Sequence, residues 1–358
     1  MRFCEVPLRL VPNKIVRYPG GREIDRFRGI DPPLDDGRPE AWIGSDTPVA
    51  GAGPEDPYDG CARCVLHDGR EVYLFEALAM DPEGMLGPEH LARSGPHMGL
   101  LVKLLDAQYQ LGLQTHPTRA YAKAHFGSDY GKQESWYIIG LREDVPEPPY
   151  VLLGFKEGVT REDFARGYDA GDIAAMEACC HKVPVRVGDV FTIEAGAPHA
   201  VGPGCFLVEV QEPSDITVGA RKLPEGASPA EQAAHRERLL GCYRYEGADM
   251  AANLARYRVP PKTLRQGDWG REELLIGPEQ TPYFSCTRLT ASGPVDLPPT
   301  GDIQVALVLQ GRAKLTWPGG EMALRKADEL ILPYAAPALR LIPEEPTALV
   351  RCNPAGVL

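Results

Sequence analysis

Two histidines, a glutamate and a glutamine stand where their side chains could close one site. Gln114 and His116 are two residues apart in LGLQTHP, Glu134 follows in YGKQESWYII, and His199 lies in EAGAPHAVG. On a strand, side chains two residues apart point to the same face, so Gln114 and His116 would share one. Two imidazoles and two oxygen ligands suit a borderline divalent ion, zinc first, with manganese, iron or nickel as alternatives. The pattern predicts one such ion per chain.

The type of ligand indicates what the ion would do, and the usual role of histidine in proteins limits how far each residue supports the prediction alone. An ion held partly by an amide oxygen would stay electron-poor, which favours a Lewis-acid catalyst over a closed structural site. A single histidine after a strand is nevertheless more often a hydrogen-bonded core residue, so the prediction depends on the four residues together. The remaining histidines lack such partners and are interpreted as ordinary: His67, His90, His97, His125, His181 and His235.

The segments that must position these residues read as short strands with helices between them. Residues 98–116 and 183–213 have the apolar, turn-punctuated character of sheet strands. A helix is predicted over 117–127, with a proline at its start and a glycine at its end. A helical insertion is predicted at about 160–182, and residues 228–257 are helix-prone again. The 38 glycines and 35 prolines also favour many turns, and the fold class is predicted to be mainly β.

A short internal echo indicates duplication. GDVFTIEAGAPHA (188–200) matches ADELILPYAAPAL (327–339) at a constant offset, which aligns Ile193 with Leu332 and His199 with Ala338. Two similar β-units would then exist, and only the first would keep a site. The predicted domains are a metal-binding domain at 1–222, a helical bridge at 223–280, and a second β domain without the metal site at 281–358.

Charge and composition exclude some partners. The formal net charge of −12 argues against binding nucleic acid or an anionic membrane, because both need a basic face. The sequence contains no apolar run of a membrane helix and no signal-peptide core at its start, so a cytoplasmic protein is expected. The nine cysteines are scattered, which fits free thiols. Cys61 and Cys64 form a single CxxC motif and are interpreted as structural or surface thiols.

Several motifs then occur in a recognisable order. LLVKLLDAQYQLGLQTHP and YGKQESWYII resemble the type I mannose-6-phosphate isomerases, in which a lysine, LLDA, QxHP and GKxE follow one another. VRVGDVFTIEAGAPHAVGPGCFLVEVQEPSD resembles the later run of that family, and NKIVRYPGG and PEAWIGS match its first runs loosely. The resemblance covers about residues 10–215. It implies two cupin-type (jelly-roll) β-barrels with helical insertions, zinc, and the four ligands named above.

The resemblance also implies a reaction. An aldose–ketose isomerase moves a proton between C2 and C1 of an open-chain sugar through a cis-enediol, which needs a Lewis acid and a base. Lys132, in the GKQE run, is the candidate acid/base or the group that orients a sugar oxygen. Lys103, Glu209 and Asp215 are candidates for binding the substrate. The ordinary interpretation of each lysine is a solvated surface charge.

Two departures from the family pattern concern the substrate. Relatives commonly have a serine two residues before the glutamine, where this chain has Gly112, and an arginine where it has Gly219. Arg221 is the nearest arginine and would have to act from a shifted position. Both changes weaken the case for a phosphorylated substrate more than the case for the metal.

Three functions stay open on the sequence alone. The leading one is a zinc-dependent isomerase of mannose 6-phosphate and fructose 6-phosphate. The second is an isomerase or related enzyme acting on another, unphosphorylated sugar, and the third is a non-catalytic metal-binding cupin. The expected partner is a small sugar or sugar phosphate, and the protein is expected to be a monomer or a homodimer.

Overall fold

The computed structural model describes residues 2–299 and 301–354, and strands outweigh helices in it. The helices are α1 Arg22–Arg28, α2 Leu74–Met80, α3 Pro82–Leu86, α4 Pro88–Ser94, α5 Arg119–Phe126, α6 Arg161–Ala170, α7 Ile173–Ala178, α8 Pro229–Cys242 and α9 Met250–Tyr257, with a 3-10 helix at Phe3–Glu5. The strands are β1 Leu8–Val11, β2 Glu40–Ile43, β3 Arg63–Val65, β4 Glu71–Tyr73, β5 Leu101–Asp106, β6 Gln114–Thr115, β7 Glu134–Leu141, β8 Tyr150–Phe155, β9 Cys180–Pro184, β10 Val190–Ile193, β11 His199–Val201, β12 Cys205–Gln211, β13 Val218–Gly219, β14 Lys262–Gly267, β15 Gly270–Ile276, β16 Phe284–Ala291, β17 Val295–Leu297, β18 Gln304–Gln310, β19 Arg312–Trp317, β20 Gly320–Arg325, β21 Glu329–Leu332, β22 Leu339–Pro343 and β23 Thr347–Pro354. Within these residues, no helix combines the length and apolar character needed to cross a membrane.

The first compact unit consists of Met1–Leu105, Val208–Pro213 and Pro260–Leu358. Its larger sheet has the order β14-β15-β16-β23-β18-β21-β1-β3-β4, and its smaller sheet has the order β17-β22-β19-β20. Apolar side chains from strands of both sheets form one interior, to which Leu289 and Leu341 belong. Two sheets that share one core make the β-barrel of the C-terminal part of the chain.

The second compact unit consists of Asp106–Leu207 and Ser214–Val259. Its five-stranded sheet has the order β13-β6-β11-β8-β9, and β7 pairs antiparallel with β10. Phe164 of α6, Met176 of α7 and Leu239 of α8 share a hydrophobic core with Phe155 of β8. The helices of this unit therefore cover the sheet that carries β6 and β11.

The predicted helix at 117–127 forms as α5, but its first residues differ from the prediction. Thr118 is the N-cap and accepts a hydrogen bond from the Tyr121 backbone N–H, so Pro117 lies before the cap rather than inside the helix. Gly127 ends the helix at φ 67°, a left-handed conformation that favours glycine. A capped helix of this kind leads the chain away from His116 in a fixed direction.

Two predicted helical segments are only partly helical. The insertion at about 160–182 forms α6 and α7, but its last residues belong to strand β9. The predicted helical bridge at 223–280 contains α8 and α9, whereas β14 and β15 occupy its later part. The sequential division at 222/223 and 280/281 stays a prediction; the compact units interleave along the chain, which returns to the first unit at Val208 and again at Pro260.

The echo in the sequence coincides with matching strands. β10 and β21 occupy its aligned positions, and each ends opposite the first residue of a neighbouring strand. Ile193 faces Glu134 in the second unit, and Leu332 faces Gln304 in the first unit. Gln304 therefore holds, in the C-terminal barrel, the strand position that Glu134 holds in the other unit.

Candidate metal centre

Three of the predicted ligands form a tight buried cluster in the second unit. The candidate ligand atoms of His116, Glu134 and His199 all lie within 4.8 Å of one another. The His116 Nε2 atom is 3.1 Å from Glu134 Oε2, and the His199 Nε2 atom is 3.4 Å from Glu134 Oε1. The side chain of each residue is 1% exposed. In the described part of the chain, no second group of histidine, cysteine and acidic side chains comes together in this way.

Strand register brings the fourth predicted ligand to the same place. Gln114 begins β6 and lies directly opposite His199, the first residue of β11. The Gln114 side-chain amide nitrogen is 3.3 Å from His199 Nε2. Rotation of this amide about its last side-chain bond would present the oxygen to the same point. The structure thus assembles all four residues that the sequence singled out.

Backbone carbonyls fix how the two imidazoles point. His116 donates its Nδ1 hydrogen to the Ile216 carbonyl at 3.0 Å, and His199 donates its Nδ1 hydrogen to the Ala197 carbonyl at 3.0 Å. A neutral imidazole that donates from Nδ1 keeps the Nε2 lone pair for a metal. Both Nε2 atoms lie 3.2 Å apart, so the two lone pairs face one centre.

Lys132 completes the cluster with a positive charge. Its side chain is 4% exposed, and its Nζ atom donates to Glu134 Oε2 at 2.8 Å and to His116 Nε2 at 2.9 Å. The Lys132 backbone N–H donates to the Pro117 carbonyl at 3.0 Å, which ties this segment to the end of the LGLQTHP run. The predicted proximity of Lys132 to Glu134 is therefore present, and the lysine is not a solvated surface charge.

Burial and Lys132 set the protonation states. Burial, together with the nearby Lys132 ammonium, lowers the pKa of His116 to about 3. Burial also lowers the pKa of His199. For Glu134 burial acts upwards, but the charge of Lys132 and the contacts with His116 and His199 together outweigh it and hold the pKa of this carboxyl well below its ordinary value. At neutral pH the cluster therefore offers two neutral imidazoles and a carboxylate, the forms that bind a metal.

Trp136 is a neighbour that the sequence reasoning missed. Its ring lies edge-on to the His199 imidazole, with centroids 5.6 Å apart and planes at 72°. It is 1% exposed and packs the ligand from the side. Because Trp136 follows Glu134 by two residues on β7, the period of a strand already placed both on one face.

Lys103 and Glu209, predicted to bind substrate, form their own ion pair in the first unit. The Lys103 Nζ atom is 3.3 Å from Glu209 Oε1 and 3.7 Å from Glu40 Oε2. The same ammonium lies 4.7 Å from the centroid of the Trp42 ring. Lys103 is thus a buried, paired cation, and the substrate-binding role of the pair stays a prediction.

The other two predicted residues lie near the cluster in the second unit. Asp215 is half-buried and precedes Ile216, whose carbonyl orients His116. Gly219 lies directly opposite Gln114. The exposed Arg221 folds back over that glycine, so that a Cβ atom at residue 219 would lie 3.7 Å from Arg221 Nε. The guanidinium therefore occupies space that a longer side chain at 219 would use.

The donor set fits a divalent transition metal, because two imidazole nitrogens and a carboxylate converge in a buried place where one added ion would satisfy all three. The fold and this centre define a class, namely a mainly β protein of two cupin-type barrels with helical insertions. No family model matches the chain. Comparison with known proteins narrows the class.

The chain is 31% identical to the mannose-6-phosphate isomerase of Streptococcus mutans over 238 residues, which are 65% of this chain and 68% of that protein. It is 26% identical over 252 residues to the mannose-6-phosphate isomerase ManA of Bacillus subtilis, covering 69% of this chain and 73% of that one. A crystal structure of the B. subtilis mannose 6-phosphate isomerase matches the fold with a TM-score of 0.75 at 20% identity, over 97% of this chain and 99% of the other. The chain belongs to the mannose-6-phosphate isomerase family and is an isomerase.

Proposed function

We propose that the protein is a zinc-dependent aldose–ketose isomerase that interconverts mannose 6-phosphate and fructose 6-phosphate through a cis-enediol. The observation that carries the proposal is the buried cluster of two neutral histidines and a carboxylate with a lysine in direct contact. The names of the curated relatives support this substrate pair. The cluster and the relatives point to the same reaction from independent directions.

Gln114, His116, Glu134 and His199 are the proposed ligands. An ion bound to them would supply Lewis acidity toward the carbonyl and hydroxyl oxygens at C1 and C2 of the sugar. Zinc is favoured by the imidazole and carboxylate donors, and another divalent transition metal would be accommodated by the same set. The carbonyls that hold both Nδ1 hydrogens keep the imidazoles aimed and neutral during turnover.

Lys132 is the proposed catalytic acid/base of this chain. Its ammonium is fixed by Glu134 and His116, so it sits beside the place where the reacting oxygens would lie. An ammonium in that position donates a hydrogen bond to an oxygen on which negative charge develops, and it can pass a proton to that oxygen. The neighbouring imidazoles stay neutral and do not compete for this task.

Substrate binding is proposed to involve further cations and acids of the chain. Arg221 would meet an anionic group from its position over Gly219, in place of the missing arginine. Asp215, Lys103 and Glu209 would bind sugar hydroxyls. The absent side chains at Gly112 and Gly219 specifically favour a second candidate, an isomerase of an unphosphorylated sugar. The remaining alternative is a metal-binding cupin without turnover.

Coupled assays on the metal-loaded protein separate these functions. Turnover of mannose 6-phosphate and fructose 6-phosphate, with little on free mannose, is the expected result. Turnover of mannose alone would favour the second candidate. If the loaded protein converts no sugar, both enzyme assignments are wrong and the non-catalytic cupin is left.

Metal analysis of purified variants tests the ligand set without relying on activity. His199→Ala is expected to lose most of the bound metal, because it removes one imidazole from the centre. His90→Ala is the matched control: His90 is also a fully buried histidine, bonded to Asp302 at 2.7 Å, but it belongs to no metal cluster. Equal metal content in the His199 variant and the parent would refute the ligand set.

A further inference from the structure

The C-terminal barrel contains a small cavity at one end of its apolar interior. Its free volume is about 20 Å³, far below the range for drug-sized ligands, so it can hold only a very small group. Asp302, Gln304, Tyr334 and Arg351 line it together with leucine, proline and alanine side chains. Arg351 follows the core residue Leu349 by two positions on β23, so the strand alternation directs both to the barrel interior.

Arg351 is the unusual group in this wall. It is only 6% exposed, and one guanidinium nitrogen, Nη2, bonds to the carboxylate of Glu272. Its Nε and Nη1 atoms are buried and meet no hydrogen-bond acceptor among the described residues. Leaving buried donors of a charged group unpaired costs on the order of 1–3 kcal/mol each, so such groups normally have a partner. The two nitrogens therefore point to an acceptor that the protein itself does not supply.

The charges around Arg351 leave a positive excess. Glu272, its carboxylate partner, also bonds to Arg265, so one carboxylate serves two guanidinium groups. Burial acts to raise the pKa of Glu272, but the two arginines outweigh it, lower this pKa and keep the group ionised. Glu272 therefore balances only one of the two arginines. A ligand that satisfies Arg351 should carry negative charge.

The rest of the wall suits a small oxyanion. Gln304 donates to the Asn353 side-chain oxygen, and Asn353 donates to Ser285 Oγ at 3.2 Å, which fixes the glutamine amide at the cavity wall. The carboxylate of Asp302 is already bonded to His90 and to Arg93, each at 2.7 Å, so its charge is compensated within the protein. An anion at Arg351 would not face an uncompensated acid.

The place of the cavity in the barrel adds a second argument. Gln304 stands at the strand position that Glu134 occupies in the other unit, and Leu332, which also lines the cavity, is the counterpart of Ile193. The barrel end that carries metal ligands in one unit thus carries a cavity with a buried arginine in the other. The matching strand positions thus place a candidate ligand site at this end of each barrel.

We propose that the C-terminal barrel binds a small oxyanion, the phosphate or carboxylate group of a small metabolite, on the buried Arg351. The anion would accept hydrogen bonds from Nε and Nη1 and neutralise the excess charge that Glu272 leaves. This site is independent of the isomerase centre and of its metal.

Thermal unfolding of the metal-loaded full chain tests the site with three probes. Inorganic phosphate and acetate represent the two anionic groups, and acetamide is the neutral analogue of acetate. At least one anion is expected to raise the unfolding midpoint in a concentration-dependent way, and acetamide is expected to have no effect. The anion with the larger shift identifies the ligand class. No shift with either anion, or an equal shift with acetamide, overturns the proposal.

Three variants assign the binding to the cavity. Arg351→Gln is expected to weaken anion binding by about 10-fold or more, the effect of losing a charge-assisted hydrogen bond. Ala336→Met fills the cavity while leaving the charges in place. This variant tests whether the anion binds in the cavity even if Arg351→Gln does not fold. Arg288→Gln is the matched control, because it removes an arginine of the same sheet that bonds to Glu273 and lines no part of the cavity. Anion binding that survives Arg351→Gln or Ala336→Met, or that falls equally in Arg288→Gln, refutes the assignment.

A crystal soaked in selenate gives an independent position. An anomalous peak within hydrogen-bonding distance of Arg351 is expected, and selenate found only at the metal centre or on the surface would contradict the proposal.

Discussion

β7 and β18 begin alike and serve different chemistry. Each strand starts opposite the last residue of its neighbour, with Glu134 facing Ile193 and Gln304 facing Leu332. Two residues earlier, one chain segment carries Lys132 and the other carries Asp302. An amide, Gln304, thus stands where the other strand has the carboxylate of Glu134, and an acid, Asp302, stands where the other segment has a lysine. The backbone position is the same, so the difference lies in the side chains alone.

The difference between the two regions indicates which side chains a metal site needs in addition to the barrel backbone. In the second unit, Glu134 is ionised, compensated by Lys132 and flanked by two neutral imidazoles. In the first unit, the counterpart of His199 is an exposed alanine, Ala338. The counterpart of Lys132 is Asp302, whose carboxylate is already bonded to His90 and Arg93. The fold supplies the place, whereas function depends on a complete and charge-balanced set of groups.

The largest expected effect comes from exchanging ligand types between the two regions. Glu134→Gln should lower kcat/KM by at least about 1000-fold, because the several kcal/mol of Lewis-acid stabilisation depend on the carboxylate ligand. Ala338→His, which places a histidine at the counterpart of His199, should neither raise the metal content nor change turnover, since the described residues form no second cluster of histidine, cysteine and acidic side chains there. A second equivalent of metal in Ala338→His would break the comparison. Metal analysis and steady-state kinetics on both variants measure this.

Lys132 and Asp302 hold equivalent positions, but substitution of Lys132 should reduce turnover and substitution of Asp302 should reduce stability. Lys132→Met is expected to reduce kcat by about 100- to 10,000-fold, the usual contribution of an acid/base group, while the bound metal is retained. Asp302→Asn is expected to lower the free energy of unfolding by about 1–3 kcal/mol, because it weakens buried hydrogen bonds to His90 and Arg93. Steady-state kinetics and denaturant unfolding of both variants measure this difference. A larger loss of turnover in Asp302→Asn than in Lys132→Met would contradict it.

The two regions should also differ in how pH acts on stability. Burial lowers the folded-state pKa of His116 to about 3, well below the value of roughly 6.5 in an unfolded chain. The unfolded state therefore binds a proton first, and the stabilisation present above pH 6.5 is lost as the pH falls toward 3. Gln304 and Ala338 in the other region do not titrate.

Unfolding of the chelator-treated protein between pH 7 and pH 5 measures this loss. Stability should fall less steeply in His116→Gln than in the parent, and His67→Gln, which changes an exposed histidine, should follow the parent. Identical slopes in all three proteins would remove the buried histidines as the cause.

The smallest expected effect concerns Gly112, two residues before Gln114. A Cβ atom at Gly112 would meet no atom within 4 Å, so Gly112→Ser can restore the hydroxyl that relatives carry. One added hydrogen bond of about 1 kcal/mol predicts a roughly five-fold gain in kcat/KM for mannose 6-phosphate and no gain for mannose. Gly112→Ala is the control, and a gain of the same size in that variant would show that the hydroxyl makes no contact with the phosphorylated sugar.

Sequence reasoning brought together the residues of the candidate metal centre because their signals are local. Gln114 and His116 share a strand face through the two-residue period, and Glu134 begins the next predicted strand. The internal echo also located the strand pair β10 and β21. Interpretation failed at residues 262–276, where charged, helix-compatible segments form the strands β14 and β15. β14 and β15 pair with each other, β15 pairs with β16, and β16 in turn pairs with the distant β23, so sheet context rather than local propensity makes them strands.

The sequence by itself determined which atoms could bind a metal and the strand positions that carry them, since side-chain type and strand period are properties of short segments. Only the tertiary structure decided that the Ile216 and Ala197 carbonyls hold the imidazoles and that Lys132 meets both His116 and Glu134. It likewise decided that Arg351, ordinary in TALVRCNP, is buried with unpaired nitrogens. The contacts of His116 with Ile216 and of Arg351 with Glu272 join segments far apart in the chain, and burial in the folded protein keeps the imidazole of His116 neutral.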